Sequence, residues 1–192
     1  MSHSDQEKWD RFYRAGEELT AAPAHVLVDN SYLLPETGTA LDAACGRGAN
    51  ALFLARHGLQ THAWDISSEA LKIIAAAAAR EGVQLITEQR DVVLQPPAAD
   101  SFDVIVVTHF LERRIIDSLI AALRPNGQIY YQTFIKDKRD AIGPNNPEYR
   151  LDTNELLRLF SALRIIYYRE DGTVGDASKG FRNEAMLVAQ KS

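Results

Sequence analysis

The chain has 192 residues, 46% of them hydrophobic and 24% charged, which is the length and mix of one globular domain able to bury its own core. With 26 acidic residues against 21 basic ones, the net charge of -5 gives no field to draw phosphate backbones, so nucleic acid is not an expected partner. A single cysteine, Cys45, excludes an internal disulfide framework, and five scattered histidines lack metal-ligand spacing, so no metal is expected.

The opening MSHSDQEKWDRFYRAGEEL is too charged for a secretory signal, and no apolar run reaches the span of a membrane helix. A soluble cytoplasmic setting without a membrane partner is the expectation, as a monomer or homodimer. Ser4-Asp5-Gln6-Glu7 has capping-box spacing, and Trp9, Phe12 and Tyr13 recur at helical intervals, predicting an amphipathic helix. A second helix from Pro23 to about Leu34 would complete an N-terminal helical cap over residues 1–35, ahead of a core over 39–192. Pro35-Glu36-Thr37-Gly38 turns the chain into a short buried strand, Ala40 to Ala44. Two glycines follow, and Ala49 to Arg56 reads as a helix.

Gln60 to Ile66 suits a second strand with Asp65 at its carboxyl end, and Ser67-Ser68-Glu69 starts a third helix whose five alanines, Ala75 to Ala79, allow close packing. Val83 to Glu88 is a third strand leading to Asp91. Phe102 to Thr108 is nearly continuous apolar and β-branched, the pattern of a central parallel strand covered on both faces. Leu111 to Leu123 reads as helix, Arg124-Pro125-Asn126-Gly127 as a turn and Gln128 to Phe134 as a fifth strand. Residues 135–150 form an irregular stretch too long for a routine connection, a candidate lid. Asp152-Thr153-Asn154-Glu155 caps a last helix to about Leu163. Arg164 to Arg169 and Glu184 to Gln190 then form an antiparallel pair. The alternation predicts a doubly wound α/β sheet with this hairpin at its edge, and ligands outside the carboxyl ends of the strands.

At that end the first strand delivers Cys45-Gly46-Arg47-Gly48, where missing β-carbons let a ligand approach the backbone. The spacing Gly46-x-Gly48-x-x-Ala51 also fits a dinucleotide fingerprint, which keeps an NAD(P)-dependent oxidoreductase in view. Asp42 argues against it, because a carboxylate beside the loop repels a pyrophosphate and welcomes a cation such as an amino group. Asp65 is placed for ribose hydroxyls and Asp91 for an adenine amino group. Each aspartate alone has an ordinary reading as a cap, turn or loop acid. Three of them around one glycine loop point to a nucleoside with a positively charged amino-acid tail.

The order LDAACGRGAN (41–50), AWDIS (63–67), EQRDVV (88–93), FDVIVVTHFLE (102–112) and LRPNGQIYY (123–131) resembles the class I S-adenosylmethionine-dependent methyltransferases. EKWDRFY, GPNNPEYRLDTNELL and FRNEAMLVAQK are most similar to the tellurite-resistance and thiopurine methyltransferase-like branch. The resemblance implies a seven-stranded Rossmann-like sheet, S-adenosyl-L-methionine as cofactor and methylation of a small-molecule acceptor by in-line displacement. It places Asp42, Cys45, Gly46 and Gly48 at the methionine end, Asp65 at the ribose, Ile66, Asp91 and Val92 at the adenine, and Thr108 and His109 at the methyl group. Trp9 and Tyr13 would fold over the cofactor, although an aromatic face packed on the core reads equally well for Trp9 and Phe12. His109 is the candidate catalytic base, against a structural histidine. Tyr149 and Arg182 are candidate substrate contacts, against surface roles. Ala44 and Asn50 stand where the family's loop carries further glycines, and no Asn-Pro-Pro-aromatic run of DNA amino methylation follows the fourth strand. A non-catalytic S-adenosylmethionine-binding protein is the second alternative.

Overall fold

The computed structural model describes residues 3–15 and 22–192. Its elements are α1 (His3–Ala15), α2 (His25–Asp29), β1 (Thr39–Ala43), α3 (Ala49–Arg56), β2 (Gln60–Asp65), α4 (Ser68–Glu81), β3 (Ile86–Gln89), β4 (Phe102–Thr108), α5 (Ile116–Ala122), β5 (Leu123–Phe134), α6 (Glu155–Leu159), β6 (Arg164–Glu170) and β7 (Glu184–Gln190). The strands form one sheet in the order β3-β2-β1-β4-β5-β7-β6. The first five are parallel, and β7 runs antiparallel to both β5 and β6.

β4 lies between β1 and β5, and its Val104, Ile105, Val106 and Val107 are fully buried, so its apolar run is covered on both faces. Val104 and Val106 pack with Leu27 of α2 and Leu54 of α3 on one face. Ile105 and Val107 pack with Leu119 of α5 and Leu156 of α6 on the other. The alanine-rich α4 lies beside α3, where Ala77 and Ala78 join Ala51, Leu52 and Ile74 in a third cluster. Small side chains there let two helices sit close on the sheet.

Several boundaries differ from the sequence expectation for identifiable reasons. α1 begins at His3, so Ser4 lies within the helix rather than at its cap. The second helix stops at Asp29, where the Asn30 side chain donates to the Val26 carbonyl at 2.9 Å, and a single 3-10 turn continues it. β3 starts at Ile86, because Val83 and Leu85 pack against α4 instead of entering the sheet. Between β3 and β4 the chain has turns and no helix, with Pro96-Pro97 in the middle. The helix after β4 is α5 with one 3-10 turn ahead of it. Leu123 already pairs with Phe102, and residues 124–127 bulge out before pairing resumes at Gln128. α6 ends at Leu159, and its N-cap Asn154 is left-handed while Glu155 reaches back to the Asp152 N–H at 2.7 Å.

The long segment after β5 is pinned. Ile135 and Leu151 form a parallel bridge at its base. The Arg113 guanidinium donates to the carbonyls of Glu148 (2.7 Å) and Arg150 (3.0 Å) while forking onto both carboxylate oxygens of Glu155. Arg150 donates in turn to the Pro144 carbonyl at 2.6 Å. No helix among the described residues is long and apolar enough to cross a membrane.

Candidate functional site

The strand order reverses between β1 and β4, so their carboxyl ends flank the crevice where doubly wound sheets bind ligands. The glycine loop leaves β1 on one side of it and His109 leaves β4 on the other. Cys45 N–H donates to the Trp64 carbonyl at 2.9 Å, tying the loop to β2. Gly48, with φ of 77°, is the N-cap of α3, and a β-carbon there would lie 1.9 Å from Ile74 Cδ1. Glycine is required by that contact with α4 as much as by the turn. Ala44 holds a φ of 54°, a left-handed conformation that costs a β-carbon about 1 kcal/mol.

Asp42 is 1% exposed. Its Oδ2 accepts the Ala51 N–H at 3.0 Å in the first turn of α3, supplying the cap that Gly48, without a side chain, cannot. The helix N-terminus is thus already occupied by a carboxylate. Asp65, 5% exposed, accepts from Gly46 N–H and Ser67 N–H, both at 2.8 Å, and so braces the loop against the start of α4. Burial pushes the Asp42 carboxyl up to about 7, with the negative charge of Asp65 adding to it against the hydrogen bonds of Ala51 and Asn50. Burial raises Asp65 as well, Asp10 adding to it. The charges that raise these two carboxyls are acidic ones, and among the described residues neither makes an ion pair. Asp91, beyond β3, accepts from Val93 N–H at 2.9 Å; Val92 next to it is buried, and Ile66, which follows β2, is half-buried. Burial pushes the Cys45 thiol up, the opposite of an activated nucleophile.

α1 lies across this loop. Asp10 accepts from the Ser67 hydroxyl at 2.6 Å and Arg14 pairs with Glu69 at 3.0 Å, fixing α1 to the start of α4. A β-carbon on Gly46 would lie 2.8 Å from the Tyr13 hydroxyl oxygen. Trp9 stacks on Tyr13 at 6.1 Å, and the Arg47 guanidinium sits 5.9 Å from the Tyr13 ring. Phe12 meets both rings edge-on but is 59% exposed, so it does not pack on the core.

Across the crevice, Thr108 accepts from the Asn50 side-chain amide at 2.9 Å, and Asn50 accepts in turn from Ala24 N–H at 2.9 Å. His109 has a φ of 54° and its N–H donates to the Gln132 carbonyl at 2.9 Å. Its ring lies 4.9 Å from the Phe134 ring, and Nε2 is 3.0 Å from Glu184 Oε1. The other Glu184 oxygen accepts from the Gln132 amide at 2.6 Å, whose own oxygen accepts from Val26 N–H at 2.8 Å. Burial raises the Glu184 carboxyl, but His109, Gln132 and the charge of His25 outweigh it and hold the group below the usual glutamate range.

Tyr149 is 54% exposed in the 3-10 turn of residues 147–149, on the pinned segment. Arg182 donates to five carbonyls, those of Lys179, Asp171, Gly172, Val174 and Asp176, so its guanidinium organises the loop between β6 and β7. Gln132, Glu184 and Asp10 are residues that sequence reading passes over, and Asn50 enters it only as a departure from the glycine pattern. Glu184 alone leaves a trace, as a carboxylate opening an otherwise apolar strand. A groove of about 680 Å³ lies at the opposite end of β2 and β3, among Leu59, Thr61, Ala78, Val83 and Ile86, with no titratable lining residue.

Residues 40–127 match a family model described as a methyltransferase domain. No curated protein matches the sequence. Among solved structures, TehB from Haemophilus influenzae is similar at 20% identity and a TM-score of 0.74, over 96% of this chain and 67% of that one. An S-adenosylmethionine-dependent methyltransferase from Methanosarcina mazei is similar at 21% identity and a TM-score of 0.68, over 88% and 98%. The [4+2]-cyclase SpnF is similar at 18% identity and a TM-score of 0.68, over 95% and 80%. These likenesses establish the Rossmann-like methyltransferase fold. The family model covers less than half of the chain, so what these comparisons give is the fold and a likeness to methyltransferase domains over residues 40–127.

Proposed function

We propose that this chain is a methyltransferase that transfers a methyl group from S-adenosylmethionine to a small-molecule acceptor by in-line displacement. The observation that carries the reading is the pair of buried carboxylates, Asp42 and Asp65, that brace the glycine loop and make no ion pair among the described residues. Buried charge without a partner is costly, and a ligand that brings positive charge removes the cost. The same pair, with the helix N-terminus already capped by Asp42, disfavours the pyrophosphate of a dinucleotide.

In this reading Asp42, Cys45, Gly46 and Gly48 hold the cationic tail, Asp65 the ribose, and Ile66, Asp91 and Val92 the adenine. Trp9 and Tyr13 close the loop from above, and Thr108 and His109 stand on the acceptor side. S-adenosylmethionine supplies a methyl carbon on a positively charged sulfur, so the donor carries its own activation. The protein's work is to align the reactants and exclude water. The N-terminal cap over residues 1–35 and the core over 39–192 act as one domain, in a cytoplasmic setting, as a monomer or homodimer.

Titration calorimetry with S-adenosylmethionine, S-adenosylhomocysteine and NAD tests this. Binding of both sulfur compounds and not of NAD is expected; binding of NAD alone would overturn it. Methyl transfer from labelled donor then separates an enzyme from a binding protein.

A further inference from the structure

The acceptor side of the crevice holds a chain of hydrogen bonds that the donor side does not use. Val26 N–H donates to the Gln132 carbonyl oxygen, which fixes that amide so that its nitrogen faces Glu184. Both Glu184 oxygens are then committed, one to Gln132 and one to His109 Nε2. A carboxylate only accepts, so the ring nitrogen facing it carries the proton. In the neutral imidazole that leaves Nδ1 bare, and among the described residues Nδ1 has no hydrogen-bond partner. The His109 side chain is 47% exposed, against 14% for Glu184. Its left-handed backbone is a conformation that a residue with a β-carbon holds only when its surroundings impose it. Two observations impose it here: the His109 N–H bond to Gln132 and the ring against Phe134.

We propose that Glu184, oriented by Gln132, is a positioning residue that locks His109 in its Nε2–H tautomer, so that Nδ1 is the general base and the acceptor is a protic oxygen or nitrogen nucleophile. This rests on the methyl-transfer reading above and narrows its acceptor. In the step, the acceptor oxygen or nitrogen bonds to the methyl carbon while the carbon–sulfur bond breaks and its electron pair stays on sulfur. The acceptor's proton passes to His109 Nδ1, and the imidazolium so formed is stabilised by Glu184. A thiolate or halide acceptor has no proton to give up and needs none of this arrangement. Among the described residues, Glu184 from β7 faces the ring, and His25 from α2 acts on Glu184 through its charge while lying 3.8 Å from Asp29.

Long-range proton–nitrogen correlation of the ¹⁵N-labelled protein, with and without S-adenosylhomocysteine, reads the tautomer directly. His109→Gln assigns the ring signals. The expected result is Nε2–H with bare Nδ1 in the wild type and a mixture of tautomers in Glu184→Gln; a wild-type ring protonated at Nδ1 overturns the proposal. Labelled donor is then offered to phenols, alcohols and amines, and separately to thiols and iodide. Transfer to the protic set, lowered at least about 100-fold by His109→Gln, is expected. Transfer confined to thiols or iodide, or unchanged in His109→Gln, overturns it. If neither set is methylated, the tautomer decides. Glu184→Gln should keep S-adenosylhomocysteine affinity within about twofold while slowing turnover more than about tenfold. A wild-type protein that fails to bind S-adenosylhomocysteine strikes the donor reading, whereas a wrong tautomer strikes only this one.

Discussion

The two halves of the crevice are built on opposite electrostatic plans. At the ends of β1 and β2, Asp42 and Asp65 are buried, face acidic neighbours, and have their carboxyls pushed up. At the ends of β4, β5 and β7, Glu184 is mostly buried too, yet paired with His109 and Gln132 and held down. In the proposed reading these carboxylates differ because one half is complete within the chain and the other would be completed by a ligand. A half that waits for charge binds a cation; a half whose charges are matched can handle a proton.

The largest expected effect tests the incomplete half. A carboxyl whose folded-state value is raised favours the folded protein at low pH and loses that advantage as pH climbs through the raised value. For Asp42 the window runs from about pH 4 to about pH 7, and ionisation there costs on the order of 4 kcal/mol of stability. Asp42→Asn keeps an oxygen for Ala51 N–H and removes the ionisation. Thermal melts should show the variant more stable than the wild type at pH 8 and nearly equal at pH 4. Equal curves at both would place Asp42 in an ordinary solvated role.

Asp65→Ala comes next. It removes the acceptor for Gly46 and Ser67, and S-adenosylhomocysteine affinity should fall at least about tenfold, or ~1.4 kcal/mol, without unfolding the domain. Unchanged affinity in calorimetry would detach that residue from the donor half. The smallest effect is expected at Ala44. Relief of its left-handed backbone in Ala44→Gly is partly offset by a more flexible unfolded chain, leaving a gain of about 0.5 kcal/mol. A loss of stability in denaturant titration would show that the loop is not strained there.

The donor half is the half that the sequence makes legible. Its residues sit in short local strings, each acid within a few positions of a strand end, so LDAACGRG and AWDIS announce themselves before any contact is known. β4 and α3 were readable to the residue for a similar reason: a continuous β-branched run and a helix bounded by Gly48 and His57-Gly58 are local signals. The acceptor half is scattered. His109, Gln132 and Glu184 lie on three strands, and only the sheet order, which puts β7 beside β5, brings them together. Arg182 shows the converse: an arginine read as a substrate contact spends its donors on five carbonyls of its own loop. Tertiary structure alone decides whether such a donor set points outward or inward.

If a ligand's positive charge completes the donor half, its arrival must change the protonation of Asp42. Calorimetry of S-adenosylmethionine binding near pH 6.5, repeated in buffers of different ionisation enthalpy, measures it most directly. A carboxyl poised at about 7 is largely protonated there and must ionise when a cation arrives. Release of a fraction of a proton on binding, abolished in Asp42→Asn, is expected. Binding with no proton release, or with uptake, would contradict it.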